Sequence, residues 1–164
     1  MVNLNNHGTD YKMKKILFLD IDGVLNSEDW YENSYKRGEL NDDLDPVLVK
    51  RLNKLDCEVV ISSSWGCNDG QTRKALKRKG FNLKVIGYTE HYEMGSDWIV
   101  RGNSIKKWLQ ENIGYDYNKK CRYAILDDDG DMLLEQKDHF VQTDFRHGVT
   151  DEHIEKLIKI LDLQ

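Results

Sequence analysis

Carboxyl and hydroxyl side chains follow three apolar runs of the sequence, each at the point where the run ends. Asp20 and Asp22 follow the run ILFL, Asp127 and Asp128 follow YAIL, and serines 62–64 follow VVI. If these runs are neighbouring parallel strands, the polar groups meet at one edge of a sheet. Carboxylates gathered in this way repel one another unless a counter-charge is present. Because Mg²⁺ takes carboxylate and phosphate oxygens as ligands, the pattern predicts metal-dependent phosphate chemistry.

Two simpler interpretations of the acidic residues are weaker. Acids at strand ends are often solvated turn formers, but here two clusters both come directly after apolar runs. The segment DDDGDMLLE, residues 127–135, also resembles a calcium loop in its alternating acids. Its sixth position is Met132, where a calcium loop of the EF-hand type requires glycine, so we discard that interpretation. Asp129 and Asp131 are then predicted to be solvated loop acids.

The apolar runs predict five strands, and four helical patterns fall between or after them. The strands are residues 15–20, 57–63, 83–88, 122–127 and 139–143. The second and fourth are continuously apolar, as expected for strands covered on both faces. The predicted helices are residues 46–55, 70–79, 104–113 and 151–162, with Asp45 and Thr150 as N-caps.

This alternation predicts an α/β fold, a three-layer α/β/α sandwich around a mostly parallel five-stranded, Rossmann-like sheet. Ligand sites in such sheets lie beyond the carboxyl ends of the strands. The 164 residues are expected to form one domain, 14–164, after a flexible polar lead-in at 1–13. The segments 24–44 and 66–100 leave room for a small flap at most, which predicts an open site with a minimal cap or none.

The bulk composition excludes several classes of protein. A net charge of −5 is not that of a general nucleic-acid binder. No apolar stretch reaches the length of a membrane span, and the N-terminal residues have no apolar signal region. The three cysteines show no zinc spacing and are expected to be reduced thiols. We therefore expect a cytoplasmic protein without a membrane partner.

Four short motifs resemble those of the haloacid dehalogenase (HAD) superfamily of phosphatases and phosphotransferases, in the same order. They are LDIDGVLN, VVISSSW, RGNSIKKWL and YAILDDD, and they cover about residues 15–130. The combination is similar to the small HAD domains associated with RNA-repair proteins. The resemblance implies a HAD-like fold, Mg²⁺ as cofactor, and hydrolysis of phosphomonoesters through an aspartyl-phosphate.

The resemblance also implies roles for the first motif. Asp20 matches the nucleophile and a metal ligand, and Asp22 matches the general acid and base, with its backbone carbonyl facing the metal. An acid at position 22 favours phosphatase over dehalogenase activity. Gly23 would permit the tight loop, and Asn26 would either line the pocket or form part of the turn.

In the second motif, either Ser62 or Ser63 binds the phosphoryl group, because side chains alternate along an extended segment. Counting back from Trp65 favours Ser63, with the neighbouring Ser62 and Ser64 in the same substrate-binding segment. Trp65 would either stack on a base or pack against the core.

The third and fourth motifs supply a cation and further acids. Arg101 would neutralise charge in the transition state, whereas Lys106 and Lys107 fall inside the helix. Of the paired acids, Asp128 is favoured as a direct metal ligand, and Asp127 would support water ligands or Arg101.

The predicted function is that of a Mg²⁺-dependent phosphatase acting on a nucleotide or a polynucleotide phosphate end. Alternatives are a protein phosphatase of the same superfamily and a catalytically idle domain that binds nucleic acid or a partner chain. A basic set of residues is either an electrostatic track for a phosphate backbone or a solvated helix face. Its members are Arg73, Lys74, Lys77, Arg78, Lys79 and Lys84.

Overall fold

A computed structural model of the chain describes residues 13–38, 43–90 and 100–163. Five strands form one sheet in the order β3-β2-β1-β4-β5. All four neighbouring pairs of strands are parallel, in agreement with the predicted α/β sandwich. The strands are β1 (Lys14–Leu19), β2 (Glu58–Ile61), β3 (Lys84–Tyr88), β4 (Cys121–Asp127) and β5 (Phe140–Gln142).

Helices connect the strands and cover both faces of the sheet. They are α1 (Glu28–Lys36), α2 (Pro46–Leu52), α3 (Asp69–Arg78), α4 (Arg101–Asn112), α5 (Tyr117–Lys120) and α6 (Asp151–Leu161). Two 3-10 helices, Ser64–Asn68 and Leu134–His139, follow β2 and precede β5. No helix in the described ranges combines the length and the apolar character that a membrane crossing requires.

Strand β1 is the central strand because both of its faces are apolar. Leu17 and Leu19 pack in a core shared with α2, α3 and α6, whereas Ile16 and Phe18 pack in a second core with α4 and α5. All four side chains are completely buried. Successive side chains of a strand point to opposite faces. The ILFL run therefore fills both cores and fixes β1 in the middle of the sheet.

Two predicted helix boundaries differ from the observed ones because of contacts with distant residues. Helix α2 ends at Leu52 rather than near residue 55. The Asn53 side chain instead donates to the carbonyl of Gly80 and accepts from the amide of Asn82. Helix α4 begins at Arg101, three residues before the predicted start, although Val100 at the N-cap position has no side-chain acceptor. Asp131 supplies that acceptor from another loop.

Helices α1 and α5 were not predicted. Helix α1 buries only Ser34, so the apolar stripe that identifies an amphipathic helix is missing. Its N-cap is nevertheless a favourable one, since Ser27 accepts from the amide of Trp30. The expected lead-in at 1–13 lies outside the described residues except for Met13. The described part of the segment 24–44 contains α1 and no sheet.

Replacing Leu157 by alanine should test how far α6 stabilises the fold. Leu157 is completely buried in the core beneath α6, so Leu157→Ala should lower the free energy of unfolding by roughly 2–5 kcal/mol. Urea denaturation followed by circular dichroism measures this loss. The control Glu155→Ala changes an exposed residue of the same helix and should stay within about 0.5 kcal/mol of the parent. Equal effects of the two substitutions would contradict this description of the core.

Candidate active site

Backbone hydrogen bonds continue past the ends of the strands and bring the predicted site residues together. The amide of Asp20 donates to the carbonyl of Leu126 at 3.0 Å, and the amide of Ser62 donates to Leu19 at 2.8 Å. The amide of Thr143 likewise donates to the carbonyl of Asp127 at 2.9 Å. Asp20, Ser62 and Asp127 are therefore held at one edge of the sheet, as their positions after parallel strands predict.

Arg101 lies between the two buried acids. Its Nη1 is 2.8 Å from Oδ1 of Asp20, and its Nε is 3.3 Å from Oδ2 of Asp127. Nη1 also donates to the carbonyl of Ser62. Burial opposes the charge of the guanidinium, but the neighbouring Asp127 and Asp20 outweigh it and raise the pKa of Arg101. The cation that the sequence predicted to face the acids is thus in contact with both.

Contacts from the loop after β4 set the position of Arg101. The carboxylate of Asp131 accepts from the Arg101 amide at 3.0 Å, and the Asp131 carbonyl accepts from the Gly102 amide at 3.2 Å. The buried Gln136 donates to the carbonyl of Gly102 at 2.8 Å and accepts from the amide of Leu133. The expectation that Asp131 is a solvated loop acid is therefore wrong, because Asp131 caps the helix that carries Arg101.

Three carboxylates gather around this contact. Asp20, Asp127 and Asp128 each offer an oxygen, and these oxygens lie within 4.8 Å of one another. Oδ2 of Asp127 is buried and accepts no hydrogen bond from a described residue. An all-oxygen donor set with an unsatisfied buried carboxylate oxygen fits a hard cation such as Mg²⁺. The three predicted acids therefore form a set that suits the predicted metal.

The environment of these acids disfavours their charged forms. Burial, partly offset by Arg101, raises the pKa of Asp20 to about 6. Burial and the nearby Asp20 raise the pKa of Asp127 to about 8. Burial also raises the pKa of Asp128, helped by Asp129. A cation bound among the three carboxylates would compensate the charges that burial penalises.

The Asp22 carboxylate is held apart from this group, although Asp22 was also predicted as a metal ligand through its backbone carbonyl. Its Oδ1 accepts from the side-chain amide of Asn26 at 2.7 Å. Its Oδ2 accepts from the indole Nε1 of Trp65 at 3.0 Å. Both oxygens are thus oriented by neutral donors, an arrangement that suits a proton-transfer group with a fixed position.

The loop between Asp20 and Asn26 is closely packed. Gly23 adopts a positive φ of 72°, and a Cβ at this position would lie 2.5 Å from Cγ of Asp128. The Gly23 amide donates to Oδ1 of Asn26, and its carbonyl accepts from the Thr143 hydroxyl. Asn26 is completely buried. Of its two predicted roles, the structure places it within the turn, where it holds Asp22.

The three serines after β2 have different surroundings. The side chain of Ser63 interacts with Asp20 and lowers the pKa of that acid, and Ser63 is buried. The hydroxyl of Ser62 accepts from Thr89 at 3.3 Å, on the side of β3. Ser64 is exposed at the start of the 3-10 helix. Ser63 is therefore the serine whose side chain meets the acids, which is the choice that counting back from Trp65 favoured.

Trp65 and three members of the basic set, Arg73, Arg78 and Lys84, differ in what they contact. Trp65 packs against the core, which is one of its two predicted roles, and its indole also donates to Asp22. Arg73 donates to the carbonyl of Val85, and Lys84 pairs with Glu58 at 2.7 Å. These two cations stabilise the fold locally. Arg78 instead lines a groove with Trp65.

Two residues outside the four motifs also lie near the loop of Asp22. Tyr31 of α1 lies near Asn26 and Asp22, and burial together with Asp22 raises its pKa to about 12. Thr143 follows β5 and holds the Gly23 carbonyl at 2.8 Å. Neither residue belongs to a recognisable motif, because each reaches the loop only after the chain has folded. The signals available for α1 were the N-cap Ser27 and the acidic first turn that follows it.

Comparison with known proteins identifies one family. The family model described as "HAD domain in Swiss Army Knife RNA repair proteins" matches residues 16–154. This range runs from β1 into α6 and contains every residue of the site described above. Neither the curated proteins nor the solved structures gave a match.

The raised pKa of Asp127 should make the metal-free protein less stable at alkaline pH. Folding raises this pKa from 3.8 to about 8, so between these values the folded chain holds a proton that the unfolded chain has released. Stability is therefore lost as the pH rises from about 4 through about 8. In EDTA, the urea midpoint should fall over this window, and Asp127→Asn should flatten the fall. Asp129→Asn, which changes an exposed acid of the same loop, should retain the slope. Parallel slopes for Asp127→Asn and the parent would contradict this electrostatic description.

Gly102 should not tolerate a side chain. A Cβ there would collide with Gln136 and lie 2.5 Å from the amide nitrogen of Leu133. We expect Gly102→Ala to lower the free energy of unfolding by about 1–3 kcal/mol. Gly70→Ala in α3 is the matched control because nothing lies within 4 Å of its Cβ. That variant should be as stable as the parent or up to about 1 kcal/mol more stable. Urea denaturation of both variants checks the pair, and a harmless Gly102→Ala would refute the packing described for α4.

Proposed function

The chain belongs to the family of HAD domains in Swiss Army Knife RNA repair proteins, and from this membership and its acidic site we propose that it is a Mg²⁺-dependent phosphomonoester hydrolase. The match confirms the resemblance inferred from the four motifs, and it supports a phosphatase-type hydrolase. The observation that carries the proposal is the contact of Arg101 with Asp20 and Asp127. A nucleophile, a cation and a set of metal-binding oxygens are adjacent there.

In this proposal the ion is held by the carboxylates of Asp20, Asp127 and Asp128. Their clustered oxygens are ligands of the kind that Mg²⁺ prefers. When bound, Mg²⁺ supplies positive charge that neutralises the acids and the phosphoryl oxygens. The remaining chemistry is assigned to residues of the chain. Arg101 and Ser63, which both contact Asp20, bind and orient the phosphoryl group.

The first step transfers the phosphoryl group to the protein. A carboxylate oxygen of Asp20 attacks phosphorus, and the bond between phosphorus and the leaving oxygen breaks. Asp22 gives its proton to that leaving oxygen, so that the alcohol departs neutral. Asp22 is positioned for this transfer by Asn26 and Trp65. The products of the step are an aspartyl-phosphate at Asp20 and ionised Asp22.

The second step returns the protein to its starting state. Asp22, now ionised, accepts a proton from a water molecule that attacks the phosphorus of the aspartyl-phosphate. The bond between phosphorus and the Asp20 oxygen breaks, and inorganic phosphate is released. Asp22 ends protonated and Asp20 ends as a carboxylate, so protons and charge balance over the cycle.

We propose a nucleotide or a polynucleotide phosphate end as the substrate. The description of the family as a domain of RNA repair proteins supports this class. The described part of the segment after the first motif contributes one nine-residue helix, α1, which supports an open site that can accept a large phosphorylated molecule. A phosphoprotein substrate is the alternative that the same experiment can detect.

Hydrolysis of p-nitrophenyl phosphate tests the proposed chemistry. The parent protein with Mg²⁺ should release p-nitrophenol, and EDTA should abolish the release. Asp20→Asn should lower kcat by roughly three orders of magnitude or more, because the nucleophile is lost. Asp129→Asn is the matched control. Asp129 is an exposed acid of the β4 loop, and its substitution should leave most of the activity.

The outcomes separate the candidate functions. Absence of metal-dependent release above that of Asp20→Asn would refute the proposed phosphatase and favour an idle binding domain. Where activity is present, phosphorylated oligonucleotides, nucleotides and phosphopeptides compared at equal concentration identify the substrate class. A preference for phosphopeptides would overturn the nucleic-acid assignment while leaving the chemistry intact.

A further inference from the structure

A groove of about 300 Å³ lies beside the candidate site, between the 3-10 helix Ser64–Asn68 and α3. Its lining includes Asp43, Trp65, Asn68, Gln71 and Arg78. None of these residues other than Trp65 has a part in the chemistry proposed above. We call this feature the Trp65 groove.

We propose that the Trp65 groove binds one nucleotide unit of a single-stranded nucleic acid whose phosphate group is presented to Asp20. This inference rests on the proposed function, since only a phosphoester substrate has a leaving group to place there. It extends that function by assigning the leaving group a binding site and by naming the residues that recognise it.

Position is the first argument for this assignment. A general acid must lie within hydrogen-bond reach of the oxygen that it protonates, so the leaving oxygen lies next to Asp22. The indole Nε1 of Trp65 is 3.0 Å from Oδ2 of Asp22, and Trp65 also forms part of the groove wall. The leaving group can therefore extend from Asp22 along Trp65 into the groove.

The chemistry of the lining is the second argument. Trp65 is half-buried and lines the groove, and an aromatic ring in such a position can stack on any base. The side-chain amides of Asn68 and Gln71 each provide both donors and an acceptor, which match the edges of a base. An ionised Asp43 would accept from a sugar hydroxyl or an exocyclic amino group.

Arg78 provides a position for a phosphate. Gln71, Ala75 and Arg78 all line the groove, and this spacing puts them on one face of α3. Arg78 lies two helical turns, about 10 Å, beyond Gln71. Its guanidinium is exposed and forms no ion pair with any residue that the structure describes. Arginine binds phosphate oxygens through paired donors, so the next phosphate of a strand is its natural ligand.

Size favours this occupant over a phosphopeptide, and the net charge of the chain shows what kind of recognition is needed. The volume is at the lower end of the range for small-molecule pockets, about 300–1,000 Å³, and it accommodates one nucleotide unit rather than an extended chain. A molecule with a net charge of −5 also has little long-range attraction for a polyanion. Recognition must therefore come from local contacts of the kind that Arg78 and Trp65 offer.

Equilibrium binding tests the groove separately from catalysis. The probe is a single-stranded hexaribonucleotide with fluorescein at one end and a phosphate at the other. Its fluorescence anisotropy is measured in the presence of Mg²⁺ as protein is added. Every protein carries Asp20→Asn, so that the probe is bound but not hydrolysed. Arg78→Gln should raise Kd roughly tenfold. Trp65→Ala should raise Kd by a similar factor, whereas Trp65→Phe, which keeps a ring, should bind more tightly than Trp65→Ala. Lys77→Gln is the matched control, because Lys77 is exposed on α3 but does not line the groove.

The results separate a specific site from general electrostatics. Equal weakening by Lys77→Gln and Arg78→Gln, or unchanged binding in both Arg78→Gln and Trp65→Ala, overturns the assignment. Absence of binding to the Asp20→Asn parent overturns it as well, and so does tighter binding of a labelled phosphopeptide. Circular dichroism of each variant verifies its fold. Because Arg78 is exposed, Arg78→Gln should fold and give a result even if Trp65→Ala does not.

Hydrolysis assays distinguish this inference from the proposed function. Failure of the parent protein to hydrolyse p-nitrophenyl phosphate refutes the function but leaves the binding result to decide the groove. With an active protein, the ratio of kcat/KM for the oligonucleotide to that for p-nitrophenyl phosphate should fall about tenfold in Arg78→Gln. The same ratio should be retained in Lys77→Gln. An unchanged ratio in Arg78→Gln would place the leaving group elsewhere.

Discussion

The contact of Arg101 with Asp20 and Asp127 is the interaction on which the rest of the site depends. A guanidinium and two carboxylates are buried together there, and burial of charge is costly unless the charges are paired. The fold meets this requirement with several independent constraints. The parallel pairing of β1 with β4 fixes the two acids, and Asp131 and Gln136 fix the end of α4 that carries the arginine. Three carboxylates surround one guanidinium, and this excess of acidic groups is what makes the site suitable for a cation.

The two acids of the first motif illustrate how environment separates residues of the same type. Asp20 is buried beside Arg101 and the other acids, whereas Asp22 is half-buried and bound by two neutral donors, Asn26 and Trp65. Two carboxyl groups in different surroundings can take different roles, one as nucleophile and one as proton carrier. The loop that separates them is itself held by Gly23, which lies against Asp128 and accepts from Thr143. The residues proposed as nucleophile, metal ligands and proton carrier are therefore parts of one packed unit.

The features that could be predicted from the sequence are those that depend on interactions between residues close together in the chain. All five strands and four of the helices were predicted, because alternation, apolar runs and local caps such as Asp45 and Thr150 act within a few residues. Helix α1 has a local cap but no apolar stripe, and it was missed. The early start of α4 and the role of Asp131 depend on a contact across 30 residues of sequence, which no local pattern encodes.

The sequence by itself determined which chemical groups are available and on which strand ends they stand. Asp20, Asp22, Ser63, Arg101, Asp127 and Asp128 were identified from residue type, motif order and the rule that parallel strands end at one edge of the sheet. Only the tertiary structure decided how these groups are oriented. It turned Ser63 towards Asp20 and Ser62 towards Thr89, buried Asn26 as a support of Asp22, and divided the basic residues between fold contacts and the Trp65 groove. The physical reason is that orientation depends on hydrogen bonds between distant segments, and these partners become neighbours only when the sheet has formed.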